Sequence, residues 1–280
     1  MKKKVALLGL KLIGIALFVL IVANIDTRTL IAEITQANTG LLAISFPLVF
    51  LIYFFRTQRW KELVHTAGIV LPFRKHWEIM NVGIFLACIV PGKVGEMGKA
   101  AYLKAAGLRM ATAIVITILD RAIDTVCVGL IAAVGVGILF GWIWSAVAMT
   151  GISMVILISF LLRKRLGFVT KHLPAQALLP IGIWTLFAWI IHFAWAILLA
   201  RAVGIDTAIP VLVSVLTFAG ILSLLPIAPS GLGTRDAALI VLLAPYGVKP
   251  EQAVALALLM FLSIILSGFL GGWYWLKGVR

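Results

Sequence analysis

The sequence predicts an all-α integral membrane protein with about six spanning helices and two re-entrant hairpins. Three observations carry this. Of the 280 residues, 63% are hydrophobic and 12% charged, with a mean hydropathy of +1.15. A soluble domain holds about 45–50% apolar and about 25% charged residues. The apolar residues fall in runs of spanning length, roughly 5–24, 40–56, 111–141, 143–162, 178–201 and 251–275, against about 20 residues per helical span. The basic excess, 24 Lys and Arg against 10 Asp and Glu for a net charge of +14, lies between those runs. It therefore reads as an orientation signal for one membrane face and not as a nucleic-acid footprint. These spans leave no room for a large soluble catalytic domain, so residues 1–280 read as a single polytopic unit.

Along the chain, Met1-Lys2-Lys3-Lys4 and the apolar run behind it look at first like a signal peptide. The run is long, carries Lys11 and lacks an A-x-A site, so an uncleaved first span is expected. Residues 27–39 mix polar and apolar positions, as an interfacial helix does. Residues 57–76 are basic, with Trp60 and apolar positions between, and are expected to form a helix lying at the membrane interface. Two further apolar segments are too short to span alone. Residues 77–90 run into the break Pro91-Gly92-Lys93-Val94-Gly95-Glu96-Met97-Gly98-Lys99, followed by the short stretch 100–108. Residues 208–225 run into Pro226–Asp236, followed by 237–246. A Pro/Gly break between half-length segments fits a re-entrant hairpin, because irregular backbone at membrane depth survives only when buried in protein or lining a cavity. Two ordinary proline-kinked helices are the alternative.

Charge placement favours the hairpins. With both segments re-entrant, only Arg28, Arg201 and Lys249 fall on the far side, and Lys11, Lys93, Arg121 and Arg235 lie at membrane depth. All other basic residues share the face of the N-terminus, as the positive-inside rule demands. Both termini are then cytoplasmic. The arrangement span–hairpin–span occurs twice, over 40–141 and 178–275, with the hairpins opening from opposite sides. Pro91…Gly95 and Pro229…Gly233 match in register, as in an inverted repeat whose broken segments point to a substrate site.

The chemistry lies in ionisable groups at depth, each costing about 2.5–3.5 kcal/mol on insertion scales. Lys93, Glu96, Lys99, Asp120, Arg121, Asp124, Arg235 and Asp236 are four bases and four acids. Asp120 and Asp124 share a helix face at i,i+4, with Arg121 adjacent. Gly95, Pro229, Gly231 and Gly233 shape the breaks, whose exposed backbone N–H groups suit an anion, and a guanidinium grips a phosphate bidentately. A polar core joining both breaks to the Asp120–Asp124 face is expected, with a lipid headgroup phosphate as its ligand. The competing reading is a set of buried salt bridges that fix helix register. Cys88 and Cys127 sit inside apolar runs without Cys/His ligand spacing, and no Ser/His/Asp, HExxH or P-loop pattern occurs. No metal and no cofactor are expected.

With these residues in view, the chain resembles the lysylphosphatidylglycerol synthase transmembrane region, also known as the flippase-like domain family. The resemblance rests on Arg56-x-x-Arg59-Trp60, Pro91-Gly92-Lys93-Val94-Gly95-Glu96, Asp120-Arg121-x-x-Asp124 and Pro226-x-x-Pro229-x-Gly231-x-Gly233-x-Arg235-Asp236. These are similar in order and spacing to the family's P-G-R-x-G-E, E-R-x-x-D and P-x-x-x-G-x-G-x-R-E patterns. Lys93 stands where arginine is frequent, Asp120 and Asp236 where glutamate is frequent, and Thr234 where an apolar residue is usual; a shorter carboxylate alters reach.

The resemblance implies movement of a lipid across a bacterial or archaeal cytoplasmic membrane. The chain ends at Arg280 without room for the aminoacyl transferase domain of long members, so lysyl transfer is not expected. The lipid implied is an anionic phospholipid or a polyprenyl-linked or hopanoid-type molecule, and a homo-oligomer is compatible with the sequence. Lys93 and Arg235 are expected to contact the headgroup, while Glu96, Asp124 and Asp236 orient those cations or carry a coupling proton. Two other classes remain open at this point. One is an integral-membrane lipid-modifying enzyme with a divalent metal on Asp120 and Asp124. The other is a non-transporting scaffold.

Overall fold

The computed structural model describes residues 18–161, 173–223 and 233–278, with the side chains of 91–94 and 155–161 outside that description. Every regular element among the described residues is helical. Residues 18–24 are helical, and the rest of the first expected span lies outside the described residues. Helix α1, Thr27–Thr35, starts at Asp26, whose carboxylate accepts from the Thr29 hydroxyl at 2.6 Å and the Arg28 N–H at 2.9 Å. These two donors hold the Asp26 carboxyl below its ordinary range.

Helix α2 is continuous over Thr39–Thr66, 28 residues or about 42 Å. The separate interfacial helix expected over 57–76 is therefore not present. No Gly or Pro interrupts the chain between Pro47 and Gly68, and Trp60, Leu63 and Val64 continue a fully buried face beyond Arg56. The helix stops at Gly68, whose φ of +84° suits glycine. Helix α3, Phe73–Ile89, begins earlier than its apolar run because His76 is buried in it.

A 3₁₀ stretch, Pro91–Gly98, then leads into the short α4, Lys99–Ala105. Eight residues is long for 3₁₀ geometry, and such stretches inside helical segments often mark hinges or strain. Helix α5, Met110–Phe140, has 31 residues, and α6, Trp142–Leu161, folds back on it with the Ser145 hydroxyl donating to the Ala133 carbonyl at 2.7 Å.

The second half comprises α7 (Ala175–Ala202), α8 (Ile209–Leu222), α9 (Thr234–Leu243) with a 3₁₀ turn at Ala244–Tyr246, and α10 (Pro250–Lys277). Among the described residues, α2, α5, α7 and α10 are long and apolar enough to cross a membrane. Each coincides with an expected span.

Helices α2 and α7 pack antiparallel over the largest interface. The Asn38 N–H donates to the Ala202 carbonyl at 2.9 Å at one end, and Phe55 stacks on Phe187 at 5.3 Å farther along. Helix α3 lies on α10, and α8 lies on α5. Both contacts run through small residues, as helix association in lipid requires when no hydrophobic effect separates helix from solvent. Gly135 of α5 faces Ser214 of α8. Gly271 of α10 lies so close to α3 that a Cβ would come within 2.0 Å of the Asn81 carbonyl oxygen.

Gly271→Ala is expected to force α3 and α10 apart at a cost of about 1–3 kcal/mol. Gly182→Ala, an exposed α7 position with open space around it, should be neutral or gain up to about 1 kcal/mol from helix propensity. Thermal unfolding in detergent, read with a thiol-reactive dye on the half-buried Cys88 and Cys127, checks both. Equal midpoints for the two variants would contradict the close contact.

Candidate functional site

The site grows from one buried guanidinium. On α2, Arg56, Arg59 and Trp60 are spaced i, i+3 and i+4 and so share a face. Facing them, α5 presents Asp120 and Asp124 from successive turns. Arg59 lies between the two carboxylates, its Nε and Nη2 on Asp120 Oδ1 at 2.9 and 2.7 Å and its Nη1 on Asp124 Oδ1 at 2.6 Å. The side chain is 1% exposed. A lone buried charge would cost several kcal/mol, which only close, multiply hydrogen-bonded partners offset.

The first break completes the cluster. Lys99 Nζ donates to Asp120 Oδ2 at 2.6 Å, sits 3.7 Å from Glu96 Oε2 and lies 4.5 Å above the Trp60 ring centroid. Its aliphatic stem passes over Gly83 of α3, where a Cβ would fall 2.8 Å from the Lys99 Cγ. Gly95 permits the break to fold against α3, since a Cβ there would lie 2.1 Å from the Leu86 carbonyl oxygen. On the outer side, Arg121 Nη1 donates to Glu96 Oε1 at 3.0 Å and is 3.8 Å from Asp124 Oδ2, which also accepts from Arg56 Nη2 at 2.8 Å.

Glu96, Lys99, Asp120, Arg121 and Asp124 thus come together as the sequence predicts. Arg56 and Arg59, which the sequence reading placed among interfacial orientation charges, belong at the centre of the same cluster. The signal that finds them is the spacing itself: two arginines at i,i+3 on an uninterrupted helix complement two aspartates at i,i+4. Asp124 lies about 21 Å along α5 from its N-terminus, so this is not an interfacial ring of charge. With four cations and three carboxylates, the cluster carries a surplus of one positive charge among the described residues.

Arg235 and Asp236 behave differently. Arg235 Nη2 donates to the Ala257 carbonyl of α10 at 2.7 Å, and among the described residues its Nε has no hydrogen-bond partner, although the residue is buried. Asp236 Oδ2 accepts from the Gly233 N–H at 2.7 Å and so caps α9. No hydrogen bond or ion pair among the described residues links this pair to the first cluster. Adjacent helical residues diverge by about 100°, which sends Arg235 inward and Asp236 back to its own N-terminus. The Lys93 side chain, Pro229 and Gly231 lie outside the described residues.

All four oxygens of Asp120 and Asp124 contact cationic nitrogens. A divalent cation needs carboxylate oxygens left unmatched, and no group of three metal-ligating side chains occurs among the described residues.

Arg59→Gln is expected to cost about 3–5 kcal/mol, because it leaves Oδ1 of both buried aspartates without its cation. Arg121→Gln, at a side chain still 22% exposed, should cost under about 1 kcal/mol. Adding Asp120→Asn to Arg59→Gln should restore part of the loss. Thermal midpoints of the purified variants measure all three, and an additive double variant would contradict the direct contact.

Comparison with curated proteins and with solved structures returns no match. The family model for the lysylphosphatidylglycerol synthase TM region matches residues 6–272, which include the break, the Asp120–Asp124 face and both arginines of α2. With nearly its whole length matched, the chain belongs to the family of the lysylphosphatidylglycerol synthase transmembrane region.

Proposed function

We propose that the protein binds an anionic, amphipathic lipid and carries it across a cytoplasmic membrane by alternating access. The observation that carries this reading is the surplus of positive charge in a cluster built on a helix break far along α5, with hydrocarbon-length helices around it. Purely structural ion pairs would be better balanced, and an excess cation at that depth favours an anion. In this reading the lipid's headgroup engages the basic groups of the two breaks, Lys93 and Arg235 among them, while its acyl chains stay in the bilayer.

Alternating access needs two halves that can exchange roles, and the helix pairing supports an inverted repeat. Exchanging α2 with α7, α3 with α8, α4 with α9 and α5 with α10 converts the α3–α10 contact into the α8–α5 contact. It maps the antiparallel α2–α7 pair onto itself. Helices α2 and α7 have 28 residues each, and their connections, 67–72 and 203–208, are equal in length. Positive-φ glycines recur at Gly68 and Gly204, at Gly107 and Gly247, and at Gly141 and Gly278. Such symmetry places a transporter's site at its broken helices, and here the breaks are Pro91–Gly98 and the segment ahead of α9. The saturation of Asp120 and Asp124 by cations weighs against the metal-dependent enzyme.

Native mass spectrometry of gently purified protein tests the reading against Glu96→Gln and Arg235→Gln. Retention of a defined lipid by the wild type and its loss in both folded variants is the expected result. Equal, unspecific adducts in all three would favour a non-transporting scaffold with buried structural charges. Transport in proteoliposomes should likewise vanish in both variants, and wild-type rates in both would remove these residues from the site.

A further inference from the structure

We propose that Arg56 and Arg121 form the anion-exchanging edge of the cluster, and that Asp124 is the internal counterion which a substrate phosphate displaces. The inference rests on the lipid-binding reading above and specifies which groups change partners.

The cluster has a sealed side and an open one. Arg59 and Lys99 are 1% and 0% exposed, and both Asp120 oxygens are held by them. Arg56 and Arg121 keep 21% and 22% of their side-chain surface. Both face one atom, Asp124 Oδ2, at 2.8 and 3.8 Å. A phosphate oxygen arriving at that point meets two guanidinium groups at once, the geometry that favours phosphate over a point contact. Asp124 need not leave the protein interior to yield. Its Oδ1 remains on Arg59 Nη1 at 2.6 Å, so a rotation of the carboxylate exchanges partners without stranding a charge.

Charge supports the same exchange. The cluster holds a surplus of one cation, and a phosphodiester monoanion neutralises it. Arg121 also holds Glu96 of the 3₁₀ break at 3.0 Å. Any anion that draws Arg121 away from Glu96 therefore loosens a tie between α5 and the break, which connects occupancy of the site to the element that a hinge would use.

The recognised chemistry is a monoanionic phosphate ester, as a lipid headgroup or free in solution. The full chain in a neutral detergent is titrated with dihexanoylphosphatidylglycerol, with the soluble phosphodiester glycerophosphoglycerol and with uncharged dihexanoylglycerol. The wild type is expected to bind the phospholipid. Arg56→Gln and Arg121→Gln should each weaken that binding at least tenfold while leaving the protein folded. Asp124→Asn, which removes the competing carboxylate, should tighten it severalfold. Should that variant fail to accumulate, the two arginine variants decide alone.

Unchanged affinity in both arginine variants, with binding lost in Arg235→Gln, overturns this inference and leaves the lipid-binding reading intact. Absence of phospholipid binding in the wild type overturns both. Glycerophosphoglycerol binding as tightly as the phospholipid and weakened by the same two variants upholds the arginine pair but removes the lipid. Dihexanoylglycerol binding as tightly as the phospholipid overturns phosphate recognition altogether.

Discussion

The structure depends on Arg59 being held between Asp120 and Asp124. A guanidinium that is 1% exposed in a bundle meant for hydrocarbon surroundings is tolerable only if both carboxylates reach it. That requirement fixes the register of α2 against α5, since Asp120 and Asp124 must present the same face to one side chain. It also fixes the first break. Asp120 is shared with Lys99, so α4 must start where Lys99 Nζ meets Asp120 Oδ2 at 2.6 Å. Gly83 leaves the space for the lysine stem, and Trp60 supplies a ring face to the buried cation. One ion pair thereby determines the relative placement of four elements.

Away from this cluster the bundle is assembled by close approach. Without a hydrophobic effect between helix and lipid, helices adhere where backbones meet closely. Gly271 against Asn81 and Gly135 against Ser214 are such places. Tyr53 adds a buried hydrogen bond to Ser267 of α10 at 2.7 Å, only three residues from Arg56 on the same helix. The polar cluster and the small-residue seam are consequently neighbours, and α2 takes part in both.

The long helices were legible in the sequence because hydropathy and length leave few alternatives. The runs 111–141, 178–201 and 251–275 correspond to helices over 110–140, 175–202 and 250–277. The first break was legible from Pro and Gly between half-length apolar segments. The continuity of α2 was not, because Arg56, Arg59, Lys61 and Glu62 resemble the end of a span when read by hydropathy. The environment of Arg56 and Arg59 is set by carboxylates more than 60 positions away along the chain, which no local window contains. The separation of Arg235 from Asp236 was hidden for the opposite reason. Neighbours in sequence look like a pair, yet helical geometry turns one toward the Ala257 carbonyl and the other toward the Gly233 N–H.

The first break and the start of α9 are therefore held by different physics. The first is bound to α5 by the buried Lys99–Asp120 pair and, at the cluster's open edge, by the Arg121–Glu96 pair, so displacing it as a unit means separating both. Buried pairs of this kind resist separation, because each partner left alone carries its full desolvation cost. At the start of α9, among the described residues, the Arg235 guanidinium reaches a single neutral carbonyl and keeps its Nε unpartnered. A neutral acceptor offsets less of a cation's burial than a carboxylate does. Among the described residues, positive charge not matched by a carboxylate thus lies at the open edge of the first cluster and on the inward face of α9. In the lipid-binding reading proposed above, a negatively charged headgroup would be matched at either place.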